Sequence, residues 1–316
     1  MTIKHPPICN GAAAITAAVD ALNESGLVGM PTETVYGLAA DATNATAIAR
    51  LYAAKGRPAF NPLIAHVPNL QAAEQYGMFD TRAHDLAERF WPGPLTLVVP
   101  AKTDGGVSEL ARAGLPTIGL RVPAHPIARD LLTAYAKPVA APSANPSGRI
   151  SPTSAADVAT AFGDEIALVI DGGRCVAGIE STIVSVLPDQ PVRLLRPGAI
   201  AREYLLSVVS ELADPIAGKI SAPGQLSSHY APRASVRLQA SERRDGEVML
   251  GFGPSYADAE ANLSPTGDLV EAAANLYQML RQLDALSAAA IAVAPIPSEG
   301  LGEAINDRLA RAAAPR

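Results

Sequence analysis

Along this chain, apolar residues gather in short runs that polar clusters break at fairly regular intervals. An alanine-rich stretch at 11–24 predicts a helix with Asn10 at its N-cap. Compact apolar runs near 27–30, 62–67, 94–100, 117–122, 138–142, 166–171, 182–187 and 192–195 predict strands. Helical patterns at 45–54, 82–90, 125–136 and 154–162 stand between several of them, and a short helix is expected near 202–212. That alternation predicts an α/β architecture. The last two runs, joined across Pro188-Asp189-Gln190-Pro191, predict an antiparallel hairpin, so the sheet is expected to be mixed. A Pro/Gly/Ser-rich stretch follows. Beyond it, strands at 234–238, 247–252 and 289–294 and helices at 267–286 and 300–313 predict a smaller α/β unit.

Composition narrows the classes. The chain has 316 residues, 48% hydrophobic and 18% charged, enough for a sizeable core and unlike a disordered chain. Aromatics make up only 4%, against an aromatic-lined oligonucleotide platform. Net charge is −6, from 25 Lys and Arg against 31 Asp and Glu, so any RNA contact must come from a local patch. Cys9 and Cys175 lie far apart and lack zinc-site spacing. The N-terminus has no apolar h-region and no apolar run approaches about 18 residues. A soluble, reduced, cytoplasmic protein without a membrane segment is the expectation.

The common phosphate loops fail. Gly218-Lys219 has Ala213 where a Walker A loop needs glycine and Ile220 where it needs a hydroxyl, and Gly251-Phe-Gly253 lacks a third glycine. What remains is a set of polar clusters at strand ends. Met30-Pro-Thr-Glu-Thr-Val-Tyr-Gly-Leu38 can be a ligand-binding sheet mouth or a Pro-Thr turn capping a helix. Lys55-Gly-Arg57, leading to Asn61 and His66, can direct two cations at one anion or can be a solvated helix C-terminus. Thr117 and Arg121 fall on one face of a strand, and Ser143 and Asn145 follow the 138–141 run. Ser151-Pro-Thr153 is expected to cap the next helix, and Glu180-Ser-Thr182 and Arg196-Pro-Gly198 bracket the last hairpin. Singly these are caps and turns. Jointly, with no metal cluster or catalytic triad, they suit a site for anions and polar small molecules.

Together they resemble the YrdC-like threonylcarbamoyl-AMP synthase family, in its long two-domain form. The matching pieces are Pro31-Thr-Glu-Thr-Val-Tyr-Gly37, Lys55-Gly-Arg57 with Asn61-Pro-Leu63, Trp91-Pro-Gly-Pro-Leu-Thr96, Ile118-Gly-Leu-Arg121, Ala141-Pro-Ser-Ala-Asn145, Glu180-Ser-Thr182 and Arg196-Pro-Gly198. The Ser-Ser-His229-Tyr230-Ala-Pro232 linker and the C-terminal unit resemble the long form. The resemblance implies a large YrdC-like domain (1–206) with a twisted mixed sheet and flanking helices. It also implies a linker or lid (207–233) and a small Rossmann-like α/β domain (234–316).

The implied reaction turns L-threonine, bicarbonate and ATP into threonylcarbamoyl-adenylate and pyrophosphate. Its product serves tRNA N6-threonylcarbamoyladenosine formation through a downstream transferase machinery, with tRNA contact a possibility left open. By the same match, Lys55, Arg57, Ser143 and Asn145 are the catalytic signature. Arg57, Asn61, Thr117, Ser143, Ser151, Arg196 and Tyr230 look like the ATP site. Thr34, His66, Arg121, Ala141 and Ser181 look like the threonine pocket. Mg²⁺ is expected to accompany ATP, with no protein metal cage. Two other readings compete: a non-catalytic tRNA or double-stranded RNA module built on the Lys55/Arg57 patch, and a carbamoyl-transfer relative of the same fold.

Overall fold

The computed structural model describes residues 5–216, 222–224 and 228–315. In chain order the first part holds β1 (Ile8–Cys9), α1 (Gly11–Asn23), β2 (Val28–Met30), β3 (Gly37–Asp41), α2 (Ala45–Lys55), β4 (Ile64–His66), α3 (Leu70–Ala73) and α4 (Thr81–Phe90). Then come β5 (Leu95–Pro100), β6 (Thr117–Arg121), α5 (Pro126–Tyr135), β7 (Val139–Ala140), α6 (Ala155–Phe162), β8 (Leu168–Ile170), β9 (Thr182–Ser185), β10 (Arg193–Arg196) and α7 (Arg202–Leu206). The smaller part holds β11 (Ser235–Arg237), β12 (Glu247–Gly251), β13 (Ala261–Asn262), α8 (Leu269–Ala285), β14 (Ala290–Val293) and α9 (Leu301–Ala313).

The first ten strands form one mixed sheet in the order β1-β8-β2-β3-β7-β4-β6-β5-β9-β10. Parallel pairs such as β4/β6 and β5/β9 alternate with antiparallel ones such as β5/β6 and the β9/β10 hairpin. Apolar side chains of α2, α4 and α6 (Ile48, Leu51, Leu86, Val158) bury against strand residues including Leu38, Leu97 and Val169. On the other side α1 and α5 close a second cluster through Leu22, Leu131 and Leu132. The smaller sheet is parallel, ordered β11-β14-β12-β13.

The cores of the two parts meet. Val35, Ile150, Ile179 and Tyr230 pack into the cluster built by Leu276, Tyr277, Leu280, Ile305 and Leu309. Contact is close enough that Gly178, at φ +68°, leaves no room for a Cβ, which would fall 2.5 Å from the Ala274 backbone. The helix expected at 202–212 stops at Leu206, with Ser207 as its C-cap. Ser154, not Ser151, caps α6, in a reciprocal box with Asp157.

Candidate active site

Register builds the first wall of the site. β4 and β6 run parallel with His66 paired to Arg121, which sets both side chains side by side at the strands' ends. Across from them the 31–36 turn is held by its own hydroxyls: Thr32 Oγ1 donates to Val35 O at 2.6 Å and accepts from Thr34 N at 3.2 Å. The turn leaves Thr34 Oγ1 to accept from Arg121 Nη2 at 2.9 Å. Glu33 orients the same guanidinium, its Oε1 2.7 Å from Nη2, while Oε2 accepts from Ala124 N at 3.0 Å. The segment is therefore a hydroxyl-braced turn that leads into β3 and caps no helix, and it brings Thr34 and Val35 to the cavity wall.

His66 is buried, and burial with the neighbouring Arg121 charge pushes its pKa down to about 3, so the ring is neutral. Its Nδ1 finds no partner among the described residues. Ser181, the residue before β9, lines the same cavity as His66, with its Oγ 2.8 Å from Thr96 Oγ1.

Cations make the second wall. Gly56, at φ +58°, ends α2 in a left-handed turn that sends Arg57 inward. Arg57 donates to Asn61 O at 3.1 Å and to Pro62 O at 2.9 Å, and burial lowers its pKa to about 10. Lys55 is wholly enclosed, its Nζ bonded to the backbone oxygens of Ser143 and Asn145. Burial first, then the Arg57 charge, hold its pKa well below the usual lysine value. The solvated helix end considered for this pair is thus excluded. Arg196, also buried, grips Ser181 O from Nη2 at 2.9 Å and from Nε at 3.2 Å.

The connector supplies the third wall. Pro223, Gly224, His229 and Tyr230 face Thr34, His66, Arg121, Arg57 and Arg196 around a cavity of about 40 Å³. Gly224 sits at φ +83°, and a Cβ there would come 2.8 Å from Arg196 Cδ, so only glycine fits. Tyr230 holds a left-handed φ of +62°, a strained conformation for a bulky residue that surrounding contacts must stabilise. Its ring stacks 5.7 Å from Tyr277 and lies under the Arg308 guanidinium. His229 Nδ1 accepts from Tyr230 N at 2.9 Å, and burial keeps the ring neutral with a pKa of about 3.

Residues 20–198 match the Sua5/YciO/YrdC family, described as telomere recombination, and residues 200–314 match the threonylcarbamoyl-AMP synthase C-terminal domain. The chain belongs to the Sua5/YciO/YrdC family. It is 39% identical to a threonylcarbamoyl-AMP synthase of Bacillus subtilis, over 96% of this chain and 93% of that one. A threonylcarbamoyl-AMP synthase of Pyrococcus abyssi is likewise 39% identical, over 94% and 93%. The crystal structure of P. abyssi Sua5 complexed with L-threonine shares its fold at a TM-score of 0.89 and 36% identity, covering 97% of each chain.

Within this Sua5-like frame the expected site residues separate into three places. Thr34, His66, Arg121, Ala141 and Ser181 line the cavity, and so do Arg57, Ser143, Arg196 and Tyr230. Lys55 and Asn145 stand behind the Ser143 loop, and Asn61 backs Arg57. Asn61 and Asn145 each keep a buried, unpartnered Oδ1. Ser151 donates to Glu180 at 2.6 Å from behind the wall. Thr117 lies at the opposite end of β6, in a separate cavity of about 240 Å³ with Val98, Ser185 and Leu195. Of the connector expected to act as a lid, residues 217–221 and 225–227 lie outside the described residues.

Polar side chains at the site that were absent from the sequence-based set include Glu33, Glu180, His229, Tyr277 and Arg308. One signal could have found Arg308. It falls on the apolar stripe of α9 with Ala304, Ile305, Leu309 and Ala312, where a charge is out of place unless it has a buried partner.

Proposed function

We propose that this chain is a threonylcarbamoyl-AMP synthase, an enzyme of nucleotidyl transfer. L-threonine's amine attacks bicarbonate to form a carbamate, with loss of water, and a carbamate oxygen attacks the α-phosphate of ATP to expel pyrophosphate. The observation that carries this reading is the single cavity in which Thr34, His66, Arg121 and Ser181 face Arg57, Ser143 and Arg196. A neutral, hydrogen-bonding half suits an amino acid, and a cationic half suits a triphosphate.

On this reading Arg121, already oriented by Glu33, takes the threonine carboxylate. Neutral His66 bonds the threonine hydroxyl without adding charge. Arg57 and Arg196 take phosphate oxygens, and Lys55 fixes the Ser143–Asn145 loop from behind. The protein supplies position and fixed charge; no covalent enzyme intermediate is needed. Among the described residues no cluster of three or more His, Cys, Asp or Glu could hold a metal. Mg²⁺ would therefore arrive on the triphosphate. Bound there, it would neutralise phosphate charge.

A cavity of about 40 Å³ holds only a few waters. Admitting ATP requires the wall of Pro223, Gly224, His229 and Tyr230 to shift, and its return would shelter the adenylate from hydrolysis. The adenylate then passes to a transferase that modifies tRNA, which assigns the protein to the cytoplasm. Among the described residues no helix is long and apolar enough to cross a membrane. Pyrophosphate release by the purified chain tests the proposal: it should need ATP, L-threonine and bicarbonate together. RNA binding with no such release would favour the non-catalytic module.

A further inference from the structure

The C-terminal part reaches into the active-site wall through two buried side chains. Arg308, on α9 and 0% exposed, sends Nε to Glu180 Oε2 at 2.8 Å, Nη2 to Pro197 O at 2.9 Å and Nη1 to Asp307 at 2.7 Å. Its guanidinium also lies over the Tyr230 ring, 5.2 Å from the centroid. Tyr277, on α8, sets its hydroxyl 2.9 and 2.8 Å from the two Glu180 oxygens and stacks on Tyr230. The remaining side-chain bond to Glu180 among the described residues is that of Ser151.

Glu180 and Tyr230 are both cavity walls. The residue after Glu180 is Ser181, whose backbone oxygen and hydroxyl accept from Arg196. One guanidinium thus clamps the catalytic sheet's wall and the connector's wall to each other. From this geometry we infer that Arg308 and Tyr277 are positioning residues of the active site, fixing Glu180 and Tyr230 and through them Ser181 and Arg196. The inference rests on the synthase reading.

Simple adhesion between the two parts explains the arrangement less well. A buried ion pair adds little net stability over an apolar pair of the same volume, and the surrounding seam is already apolar. Electrostatics provide a readout that adhesion would not move. Burial raises the Glu180 pKa, but the Arg308 and Arg196 charges and the bonds from Ser151 and Arg308 overcome it and hold it at about 2. The other groups facing this carboxylate are Tyr277 from α8, Asp307 from α9, and His229 and Tyr230 from the connector. In the wild type Glu180 therefore stays ionised across any practical assay range. Removing the Arg308 charge leaves the burial penalty less opposed, raises the Glu180 pKa and brings an acidic limb into view.

The experiment measures kcat and KM for ATP in pyrophosphate release between about pH 5 and 9. It compares the full wild-type chain with Tyr277→Phe, Arg308→Lys, Arg308→Met and the double variant Arg308→Met/Glu180→Gln. Arg308→Met is expected to lose about tenfold or more in kcat/KM for ATP, carried mainly by KM, with partial recovery in Arg308→Lys. Arg308→Met, which removes the largest influence holding Glu180 ionised, should gain an acidic limb that Arg308→Met/Glu180→Gln lacks. Profiles of wild-type shape, lowered at every pH only in proportion to the folded fraction, would overturn the inference. Tyr277→Phe removes one oxygen and should raise KM for ATP about threefold with little change in kcat, which decides the matter even if Arg308→Met does not fold. Wild-type turnover in the same series separates the two readings: no threonine- and bicarbonate-dependent turnover refutes the synthase, whereas turnover with unchanged variant profiles refutes the positioning role.

Discussion

Replacing L-threonine by L-valine exchanges one hydroxyl for a methyl and probes the neutral half of the cavity without altering the protein. Thr34 Oγ1 is already engaged by Arg121 and Thr32, so it has little capacity left for a ligand. His66 Nδ1 is buried and unpartnered, which makes it the group that a threonine hydroxyl would satisfy. Valine forfeits that hydrogen bond and leaves a desolvated nitrogen facing a methyl. Together these cost about 2–4 kcal/mol, or about 30-fold to 1,000-fold in kcat/KM. Serine keeps the hydroxyl and loses only a methyl, about 0.8 kcal/mol or about fourfold. The expected order in pyrophosphate release is threonine, serine, then valine by a wide margin. His66→Leu supplies the cross-check by shrinking the threonine-to-valine ratio towards one. Valine turning over as well as serine, or a ratio indifferent to His66→Leu, would refute the assignment of His66 to the hydroxyl.

Other consequences follow from the same geometry. Arg196→Ala is expected to weaken ATP binding about tenfold to a hundredfold through loss of a charge-assisted contact, and threonine binding less; calorimetry with each ligand decides, and equal losses would make Arg196 a fold support. His66 and His229 are both depressed to a pKa of about 3 against an ordinary value near 6.5. Between those values the unfolded chain binds more protons than the folded one, so stability must fall as pH drops below about 6.5, by up to about 1.4 kcal/mol per pH unit for each histidine. Denaturant titrations at pH 7 and pH 5 would show the decline, and equal midpoints would contradict the neutral burial of both rings.

Much of the fold was legible because strands rich in Val, Ile and Leu stand out from helices rich in Ala. β5, β6, β9 and β10 and helices α2, α4 and α6 fall where the apolar pattern puts them. β3 escaped because Gly-Leu-Ala-Ala-Asp carries no β-branched residue; its position is fixed by pairing with β2 and β7, which is tertiary information. β1 and β13 are two-residue strands that exist only as additions to a neighbour's edge. Most of the cavity-lining cations and hydroxyls were legible from their places at strand ends, and Arg57 from its place just past the end of α2. Lys55 and Ser151 were legible as polar residues but not as buried supports, because burial depends on what packs over them. Glu180's partners were invisible locally: Tyr277 and Arg308 lie 97 and 128 residues away and meet it only when the second sheet docks.

The central claim is that one cavity joins threonine, bicarbonate and ATP into a mixed anhydride. Mass spectrometry of a reaction run with carbon-13-labelled bicarbonate tests this most directly, because it reads the bond formed and not only the pyrophosphate released. The account predicts a threonine-containing adenylate that carries the label, formed only when all three substrates are present and lost in Arg57→Ala. AMP or ADP appearing without any labelled adenylate, or a labelled product that forms without threonine, would contradict it.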